Sequence, residues 1–524
     1  MRGALGLGAH SRENRSLAPR PTLRAMLRPL CLLLSLLSGA APLAQERPHL
    51  VVFLVDDLGW QDLSVPLGPE STPFNQRYRT PAAERLAAEG MRFTNAYAAS
   101  PVCTPTRVAL MTGMSPARHG STNWILHAGR GPGARHASLT PPDWDDDGLQ
   151  EGEVSLPALL REAGYFTIHA GKAHLGALET SGADPTRLGF DVNIAGHAPG
   201  GPGSYYGEDH YSATRRARNP SQSTLWDVPG LEAYHGTSTH LTQATTLEAL
   251  SAVEGAVQRG ERFFLHLAHY AVHAPIMPDP RYVDEYAQLH ATEAAYASMV
   301  AGVDASLAAL LAKLEQLGVL DETLIVYTSD NGGLSAHARG GEPHTHNAPL
   351  RSGKGSSYEG GVRVPLLVRW PGRVRASSRC DVPVITHDLF PTLLAAAGTA
   401  APAAHAQRVD GLDLAPLWAG RGAFDAGRVL GWHYPHQWGA PGPGIHPYSA
   451  LRRGHWKLIY RHADQGYELY DLAADLSEQR DLASERPDLV RLFAGELGAW
   501  LEERGAGMPT RTDSGERVPL PGLD

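Results

Sequence analysis

The feature that most constrains the fold is a series of short apolar runs, each ending in polar residues. Runs of this length predict parallel strands that are buried on both faces. In sheets of that kind, ligands bind outside the carboxyl ends of the strands. The runs occupy residues 49–55, 165–170, 263–270 and 323–328, and they lead into Asp56-Asp57, Gly171-Lys172-Ala173-His174, His273 and Asp330-Asn331.

Helical patterns lie between these runs. Apolar residues recur at spacings of three and four over residues 156–163 and 296–317, which predicts helices with one apolar face. Alternating strands and helices predict an α/β fold. Residues 180–240 are rich in Gly, Pro, Ser and His without periodicity. We expect this segment to be a long surface excursion that shapes a substrate mouth.

The length, composition and net charge of the chain limit the classes of protein to which it can belong. The chain has 524 residues, enough for one large domain and a smaller one. A charged content of 19% and a hydrophobic content of 42% are typical of a soluble globular protein. The net charge of −9 argues against a nucleic-acid partner. An anionic substrate would therefore need a local basic pocket.

Residues 27–44 predict a signal peptide, because the apolar run is too short to span a bilayer comfortably. Small residues favour cleavage after Ala40, which makes residues 1–40 the signal peptide. Met26 precedes this segment, so residues 1–25 are interpreted as an over-called start. No other stretch is judged apolar enough to span a membrane, and we expect a periplasmic or secreted protein. The mature chain keeps Cys103 and Cys380, which excludes a disulfide framework.

The segment Cys103-Thr104-Pro105-Thr106-Arg107 opens an apolar helical pattern. Proline suits the first turn of a helix, because its missing N–H would be unpaired there. The thiol is therefore predicted at a helix N-terminus, where backbone amides favour an anion. Arg107 lies one turn on and is expected to point back toward it. A small buried cysteine at a helix start is the alternative.

Four oxygen-bearing side chains follow two of the predicted strands: Asp56, Asp57, Asp330 and Asn331. Hard oxygen donors of this kind suit calcium or magnesium better than zinc. Ordinary turn or cap residues are the alternative interpretation.

Lysine is rare in this chain and is placed selectively. Of 46 Lys plus Arg, only four are lysine, and two of these follow a glycine as Lys172 and Lys354. The ammonium group of lysine is a compact charge on a flexible stem, and the planar guanidinium of arginine cannot replace it in that role. Lys172 and His174 alternate along the backbone, so both face one site only if the chain bends, as Gly171 or Gly176 would allow. A lone His273 is more often structural than catalytic.

The ordered set of motifs resembles the sulfatase family, in particular arylsulfatases and N-acetylgalactosamine sulfatases. The similarity extends over residues 47 to about 500. It implies an alkaline-phosphatase-like fold, a large mixed central sheet flanked by helices, with a catalytic domain over 47–415 and an α+β subdomain over 416–524. The motifs are Asp56-Asp57, Cys103-x-Pro105-x-Arg107, Gly171-Lys172-x-His174, His273-x-Pro275, Asp330-Asn331-Gly332 and Gly353-Lys354-Gly355 with Tyr358-Glu359-Gly360-Gly361.

The resemblance also implies a chemistry. A maturation enzyme oxidises Cys103 to formylglycine, whose hydrate attacks sulfur and expels the alcohol. His174 then helps the second hydroxyl collapse to the aldehyde, releasing sulfate. His273 protonates the leaving oxygen with Lys354 nearby, while Arg107 and Lys172 hold the sulfate oxygens and the diol. The implied metal ligands, for Ca²⁺ or Mg²⁺, are Asp56, Asp57, Asp330, Asn331 and the modified Cys103.

Three positions depart from the family pattern. Thr106 stands where serine is commoner, Val108 where a smaller or hydroxylated residue is usual, and Ala173 in place of a common tryptophan. Thr106 keeps its hydroxyl. Val108 is expected to weaken handling by the maturation enzyme, and Ala173 to alter packing or pocket shape.

Segments 121–124, 344–347 and 432–436 carry aromatic and hydrogen-bonding groups suited to sugar rings; loop packing is the alternative. They resemble segments of exported carbohydrate sulfatases and favour a sulfated galactose or N-acetylgalactosamine unit of a polysaccharide or oligosaccharide. Two other functions stay open: a phosphate or phosphonate ester hydrolase of the same fold, and a catalytically silent protein that binds sulfated glycans.

Overall fold

A mixed central sheet organises the structure, a computed structural model. It describes residues 47–522 except 69, 132–133, 220, 222, 335–346, 421–423 and 441. The predicted signal peptide and residues 344–346 lie outside the described residues. The strands are β1 His49–Val55, β2 Met91–Phe93, β3 Ala96–Tyr97, β4 Leu139–Thr140, β5 Phe166–Gly171, β6 Val192–Ile194, β7 Phe263–Ala268, β8 Thr323–Ser329, β9 Leu366–Arg369, β10 Ser378–Cys380, β11 Val384–Ile385, β12 Val429–Tyr434, β13 Tyr448–Arg453, β14 Trp456–Arg461, β15 Tyr467–Asp471 and β16 Thr510–Arg511.

Within the described residues the central sheet has eight strands in the order β10-β2-β9-β8-β1-β7-β5-β6. The four strands predicted from the apolar runs are neighbours in it, as β8-β1-β7-β5, and all are parallel. Strand β9 runs antiparallel to both of its neighbours, which makes the sheet mixed. The prediction of parallel strands that end at one edge is confirmed.

Helices cover both faces of this sheet. They are α1 Pro73–Arg77, α2 Pro81–Glu89, α3 Cys103–Thr112, α4 Pro116–His119, α5 Leu156–Glu162, α6 Ala213–Arg216, α7 Leu241–Gln258, α8 Ala291–Gln316, α9 Glu359–Val362, α10 Leu389–Ala396, α11 Ala403–Ala406, α12 Ala415–Trp418 and α13 Pro487–Glu503.

Strand β1 shows why two helical layers form. Its side chains alternate between two cores because successive residues of a strand point to opposite faces. Val51 and Phe53 pack in the core that includes α7 and α8. Leu50 and Val52 pack in the core that includes α3, α5 and α10. Burying each such side chain contributes about 1.5–3 kcal/mol.

Helix α8 corrects one expectation. Its length and its mean hydropathy of 1.5 would allow it to cross a membrane, contrary to the expectation that no stretch after the signal peptide is apolar enough. Of its most apolar window, 83% is buried inside the protein. It is the core helix of a globular fold, and no other described helix passes this test.

A second sheet, the antiparallel meander β12-β13-β14-β15, lies within the predicted C-terminal subdomain. Helix α13 packs on one of its faces. The other face packs against the segment that leads into α3. Trp432 belongs to this packed face, with Nε1 donating a hydrogen bond to the Ala98 carbonyl at 2.9 Å. For Trp432 packing is therefore the correct interpretation, and sugar contact is not. The boundary at residue 416 stays a prediction.

The excursion over residues 180–240 differs from the expectation in one respect. It is irregular for most of its length, but Val192–Ile194 pairs in parallel with β5 and forms an edge of the central sheet. Two β-branched residues around Asn193 suit a short strand. The excursion is thus tied to the carboxyl end of β5, where Lys172 follows.

Candidate active site

The carboxyl ends of three strands and the start of one helix meet at a single buried point. Asp56 and Asp57 follow β1, Asp330 follows β8, and Cys103 is the first residue of α3. One potential ligand atom from each of these four residues lies within 4.8 Å of all the others. All four side chains are buried. Lys172, which follows β5, joins them with its Nζ 2.7 Å from Asp56 Oδ2.

The bend predicted near Lys172 lies at Gly171, one of the two predicted positions, and at His174 in place of Gly176. The φ angles of Gly171 and His174 are +99° and +52°. A β-carbon at Gly171 would lie 1.9 Å from the Ala268 carbonyl oxygen on β7. Only glycine fits this close approach with a left-handed backbone. Gly176 has another role, packing its α-carbon against Gly182.

Cys103 has a buried thiol that stays protonated. Lys354 Nζ lies 3.2 Å from Sγ, and Asp56 Oδ1 lies 3.8 Å from it. Burial raises the pKa of Cys103 to about 12, and the charges of Lys172 and Lys354 offset only part of that shift. Desolvation thus outweighs the anion-favouring helix start. Since the thiolate is the nucleophilic form, unmodified Cys103 is not poised to attack.

Each acid of the cluster has a cationic partner. Lys354 Nζ lies 2.7 Å from Asp57 Oδ1. Arg107 Nε donates to Asp330 Oδ2 at 2.8 Å and Nη1 donates to the Lys172 carbonyl at 2.7 Å, while Nη2 lies 3.9 Å from Asp56 Oδ1. Arg107 therefore contacts two acids of the cluster, and in the part of the chain that is described it makes no hydrogen bond to the thiol.

Burial and these partners give the three carboxyl groups different pKa values. Burial and the neighbouring Asp330 carboxylate raise the pKa of Asp56 to about 8. Burial also opposes ionisation of Asp57, but the charge of Lys354 holds the pKa of Asp57 below its usual value. Arg107 and Lys172 likewise lower the pKa of Asp330 against the effect of its burial. The site concentrates carboxylates that a further cation would stabilise.

The donor set fits a divalent cation. Asp57 Oδ2 and Asn331 Oδ1 are buried and accept no hydrogen bond from the described residues. The Asn331 amide is oriented by Nδ2, which donates to Asp57 Oδ1 at 2.7 Å. Orphaned oxygens beside three carboxylates are what Ca²⁺ or Mg²⁺ binds. The residues predicted from the two strand ends therefore do converge.

Both predicted histidines line the same cavity and are neutral. His174 Nε2 lies 2.7 Å from the Ile125 carbonyl, and burial, with the nearby Lys172 charge, lowers the pKa of His174 well below its usual value. His273 Nδ1 lies 2.7 Å from the Ala274 carbonyl, and Nε2 lies 3.9 Å from Asp57 Oδ2. Burial and the Lys354 charge lower the pKa of His273 to about 3.

The excursion closes over these imidazoles, which the sequence did not reveal. A β-carbon at Gly200 would lie 2.4 Å from His174 Cε1, and one at Gly201 would lie 2.9 Å from His273 Nδ1. The run Pro199-Gly200-Gly201-Pro202-Gly203 is the only sequence signal of this contact. Glycines in such a run mark a close approach of the backbone to other groups.

A cavity of about 310 Å³ opens above the thiol, and we call it the catalytic cavity. Its floor includes Cys103, and its walls include three tryptophans, of which only Trp124 was expected. Trp226 comes from the excursion and Trp438 from the loop after β12. Trp438 rests on Gly355, where a β-carbon would lie 2.3 Å from the indole ring. Nothing local in the sequence brings these rings together.

The mixed sheet with acids at its strand ends is an alkaline-phosphatase-like fold. A solved structure described as Ps i-CgsB in complex with k-i-k-neocarrahexaose shares it, with a TM-score of 0.72 and 28% identity over 88% of this chain and 94% of that one.

The chain belongs to the sulfatase family, since residues 48–399 match the family model for sulfatases. Sulfatases are sulfuric ester hydrolases, and this protein is an enzyme of that class. Residues 353–493 match the model for the C-terminal part of N-sulphoglucosamine sulphohydrolase. A sulfatase from Formosa agariphila is 30% identical over 92% of this chain and 93% of its own length. The N-acetylgalactosamine-6-sulfatase of Mus musculus is 34% identical over 74% of this chain and 69% of its own length.

Proposed function

We propose that the protein is an exported sulfatase that removes sulfate from a sulfated polysaccharide or oligosaccharide, with galactose or N-acetylgalactosamine sulfate favoured. The observation that carries this proposal is Cys103 at the floor of the catalytic cavity, 3.2 Å from Lys354 and 3.8 Å from Asp56. A protonated thiol is a poor nucleophile at this position. Oxidation to formylglycine by a maturation enzyme would supply a hydroxyl nucleophile that also sheds its sulfate without attack by water.

Asp56, Asp57, Asp330, Asn331 and the modified position 103 would hold Ca²⁺ or Mg²⁺. When bound, such an ion polarises a sulfate oxygen as a Lewis acid. The chain supplies the rest of the electrostatic stabilisation. Lys172 and Lys354 place two ammonium groups beside the cluster, and charge that develops on sulfate oxygens is stabilised by such fixed cations. Arg107 is fixed by Asp330 and the Lys172 carbonyl through Nε and Nη1. Its Nη2 makes no hydrogen bond to the described residues, which supports a role, together with Lys172, in holding the sulfate oxygens and the diol.

Proton transfer is assigned to the two histidines. His273 Nε2 faces the cavity as a neutral base, because Nδ1 is directed at the Ala274 carbonyl. Its low pKa reflects burial and the Lys354 charge. The negative charge of a bound sulfate ester opposes that effect and raises the pKa of His273. His273 can then carry the proton that a sugar alkoxide needs on departure. His174 is placed to accept the proton released when formylglycine is restored.

Sugar as the leaving group is supported by three features. The catalytic cavity has tryptophan walls, and indole faces suit the apolar faces of sugar rings. The mouse relative is by its name an N-acetylgalactosamine-6-sulfatase. The similar solved structure holds a neocarrahexaose. Export is supported by the apolar run at residues 27–44.

The deciding experiment pairs mass and turnover. The protein is co-expressed with a formylglycine-generating enzyme, and the mass of the peptide that contains Cys103 is measured. Turnover is then compared on the sulfate and phosphate esters of para-nitrophenol and on galactose 6-sulfate. An aldehyde at position 103 with preference for the sulfate esters supports the proposal. Preference for the phosphate ester by an aldehyde-bearing protein would instead favour a phosphate ester hydrolase.

Cys103→Ala is the matched control, since it removes the sulfur and leaves the helix start in place. It should abolish turnover of both esters. Turnover that survives in this variant would refute position 103 as the nucleophile.

A further inference from the structure

A second cavity, of about 510 Å³, lies beside the catalytic cavity and takes no part in the chemistry above. We call it the side cavity. It lies between β4, the turn after β16 and the loop that follows β12. Its polar and aromatic lining includes Asn123, Arg135, His136, Trp144, His436 and Gln437.

The two cavities are neighbours. Asn123 lines the side cavity and its neighbour Trp124 lines the catalytic cavity. Gln437 and Trp438 divide between the two cavities in the same way. Two pairs of consecutive residues thus place the cavities next to each other. A linear polymer with one unit in the catalytic cavity therefore has the side cavity within reach of a further unit.

The lining of the side cavity has the chemistry of a sugar site. The Trp144 indole is partly exposed and meets the His436 ring edge-on, with ring centroids 5.1 Å apart. His436 is fixed in turn by a 2.8 Å hydrogen bond between Nε2 and Thr122 Oγ1. An indole held in this way presents a rigid flat surface on which a pyranose ring can stack.

The side chain of Asn123 is held in one orientation at the same cavity. The Asn123 oxygen accepts hydrogen bonds from the Tyr434 hydroxyl and the Trp124 amide, both at 2.9 Å. The Asn123 side-chain NH₂ group makes no hydrogen bond to any described residue, although Asn123 is only 2% exposed. A buried amide fixed through its oxygen leaves its donors for a ligand.

The charge of the lining points to an acidic sugar. Arg135 is exposed and pairs with no carboxylate among the described residues. None of the residues that line the cavity is Asp or Glu, although the chain has 55 acidic residues and a net charge of −9. A lining with arginine and without carboxylates accepts a sulfated ring that most of this protein's surface would repel.

We propose that the side cavity binds a second, sulfated sugar unit of the same chain whose sulfate ester occupies the catalytic cavity. This inference rests on the proposed function. It predicts a preference for longer chains over single sulfated sugars. It also predicts that the preference depends on Trp144 and Arg135, neither of which lines the catalytic cavity.

The test compares sulfated galactan disaccharides, tetrasaccharides and hexasaccharides. Wild-type kcat/KM should rise with chain length, and Trp144→Ala should reduce the ratio of hexasaccharide to disaccharide about tenfold, the equivalent of about 1.4 kcal/mol. Trp144→Phe keeps an aromatic face and should restore most of the ratio. Trp456→Ala removes a half-buried tryptophan from the opposite end of the β13–β14 hairpin and should leave the ratio unchanged. An unchanged ratio in Trp144→Ala would overturn the proposal.

A binding measurement separates this inference from the proposed function. Calorimetry with Cys103→Ala should give weaker hexasaccharide binding when Trp144→Ala is added. Arg135→Ala should weaken binding of the sulfated hexasaccharide more than of its desulfated form, and less so at high salt. A catalytically dead protein that shows these effects keeps the second site even if turnover fails. Turnover of the aryl sulfate with no effect of either substitution on binding or on the length preference refutes the second site alone.

Discussion

Lys354 and Cys103, 251 positions apart in the chain, lie with Nζ 3.2 Å from Sγ. The same ammonium lies 2.7 Å from Asp57 Oδ1. One lysine thus contacts both the predicted nucleophile position and a predicted metal ligand. Its neighbour Gly355 seats Trp438 in the cavity wall, so the glycine-rich loop supplies both charge and shape to the site.

Replacing Lys354 tests its part in the reaction. Lys354→Ala should lower kcat on para-nitrophenyl sulfate by about 10²–10³, the scale of losing one fixed stabilising group in the transition state. Steady-state kinetics measures the change. Lys313→Ala, on the surface of α8 and paired with Glu254, is the matched control. A kcat for Lys354→Ala within twofold of wild type would contradict the role.

Gly171 should be irreplaceable because of contact, and not only because of its backbone angle. Gly171→Ala places a β-carbon 1.9 Å from the Ala268 carbonyl, which should cost more than about 2 kcal/mol and displace Lys172. Gly152→Ala is the control, since Gly152 has a φ of +88° but no atom within 4 Å of its added β-carbon. Urea unfolding compares the two. Equal losses of stability would refute the contact argument.

Metal removal should affect both activity and folding. Treatment with a chelator should abolish sulfate ester hydrolysis and lower the unfolding midpoint, because buried carboxylates lose their counterion. Adding Ca²⁺ or Mg²⁺ should restore both, and the ion that does so at the lower concentration identifies the resident metal. Asp330→Asn, which removes one carboxylate, should weaken the metal-dependent rise of the midpoint. A midpoint that does not respond to metal would contradict the assigned ligands.

Lys457 should be essential for stability. Its Nζ lies 3.0 Å from Glu359 Oε1 and 2.8 Å from Glu478 Oε1, and all three side chains are fully buried. Lys457→Met leaves the buried Glu478 without its cation and Glu359 with Arg363 alone, and should cost about 3–5 kcal/mol. Lys313→Met removes a more exposed pair and should cost about 0–1 kcal/mol. Urea midpoints distinguish these outcomes, and similar losses for both variants would show that the buried pairing contributes little.

Stability should fall as the solution becomes acidic. Burial lowers the pKa of His240 and His433 to about 4 and that of His269 and His436 to about 3. The unfolded chain, with histidine pKa values near 6.5, therefore binds more protons between pH 6.5 and pH 4. This part of the stability is complete above pH 6.5 and is lost as pH falls through the folded-state pKa values near 4 and 3. Unfolding free energies at pH 7.5, 6 and 5 measure the slope, and a flat profile would contradict it.

His269→Gln provides a check on that slope. The His269 Nε2 lies 2.8 Å from Ser306 Oγ, and an amide can hydrogen-bond there without titrating. The variant should lose stability less steeply with acid than wild type.

The sequence by itself determined the strands that are followed by polar and charged residues, and the helix that starts at Cys103. It also determined which of those residues lie together at the carboxyl edge of the central sheet. These are local patterns, because side-chain period and turn chemistry act over a few residues. The family resemblance added the roles of those residues. Neither located the bend at His174, nor did they reveal Gly200, Gly201, Trp226 or Trp438.

The tertiary structure decided which groups pair and which are desolvated. Arg107 pairs with Asp330, and Cys103 stays protonated although it begins a helix. Both outcomes depend on burial and on partners that are hundreds of residues distant. The side cavity likewise exists only because β16 returns to β4 and the loop after β12 meets residues 123–124. Such contacts follow from strand order and close packing, which no local pattern encodes.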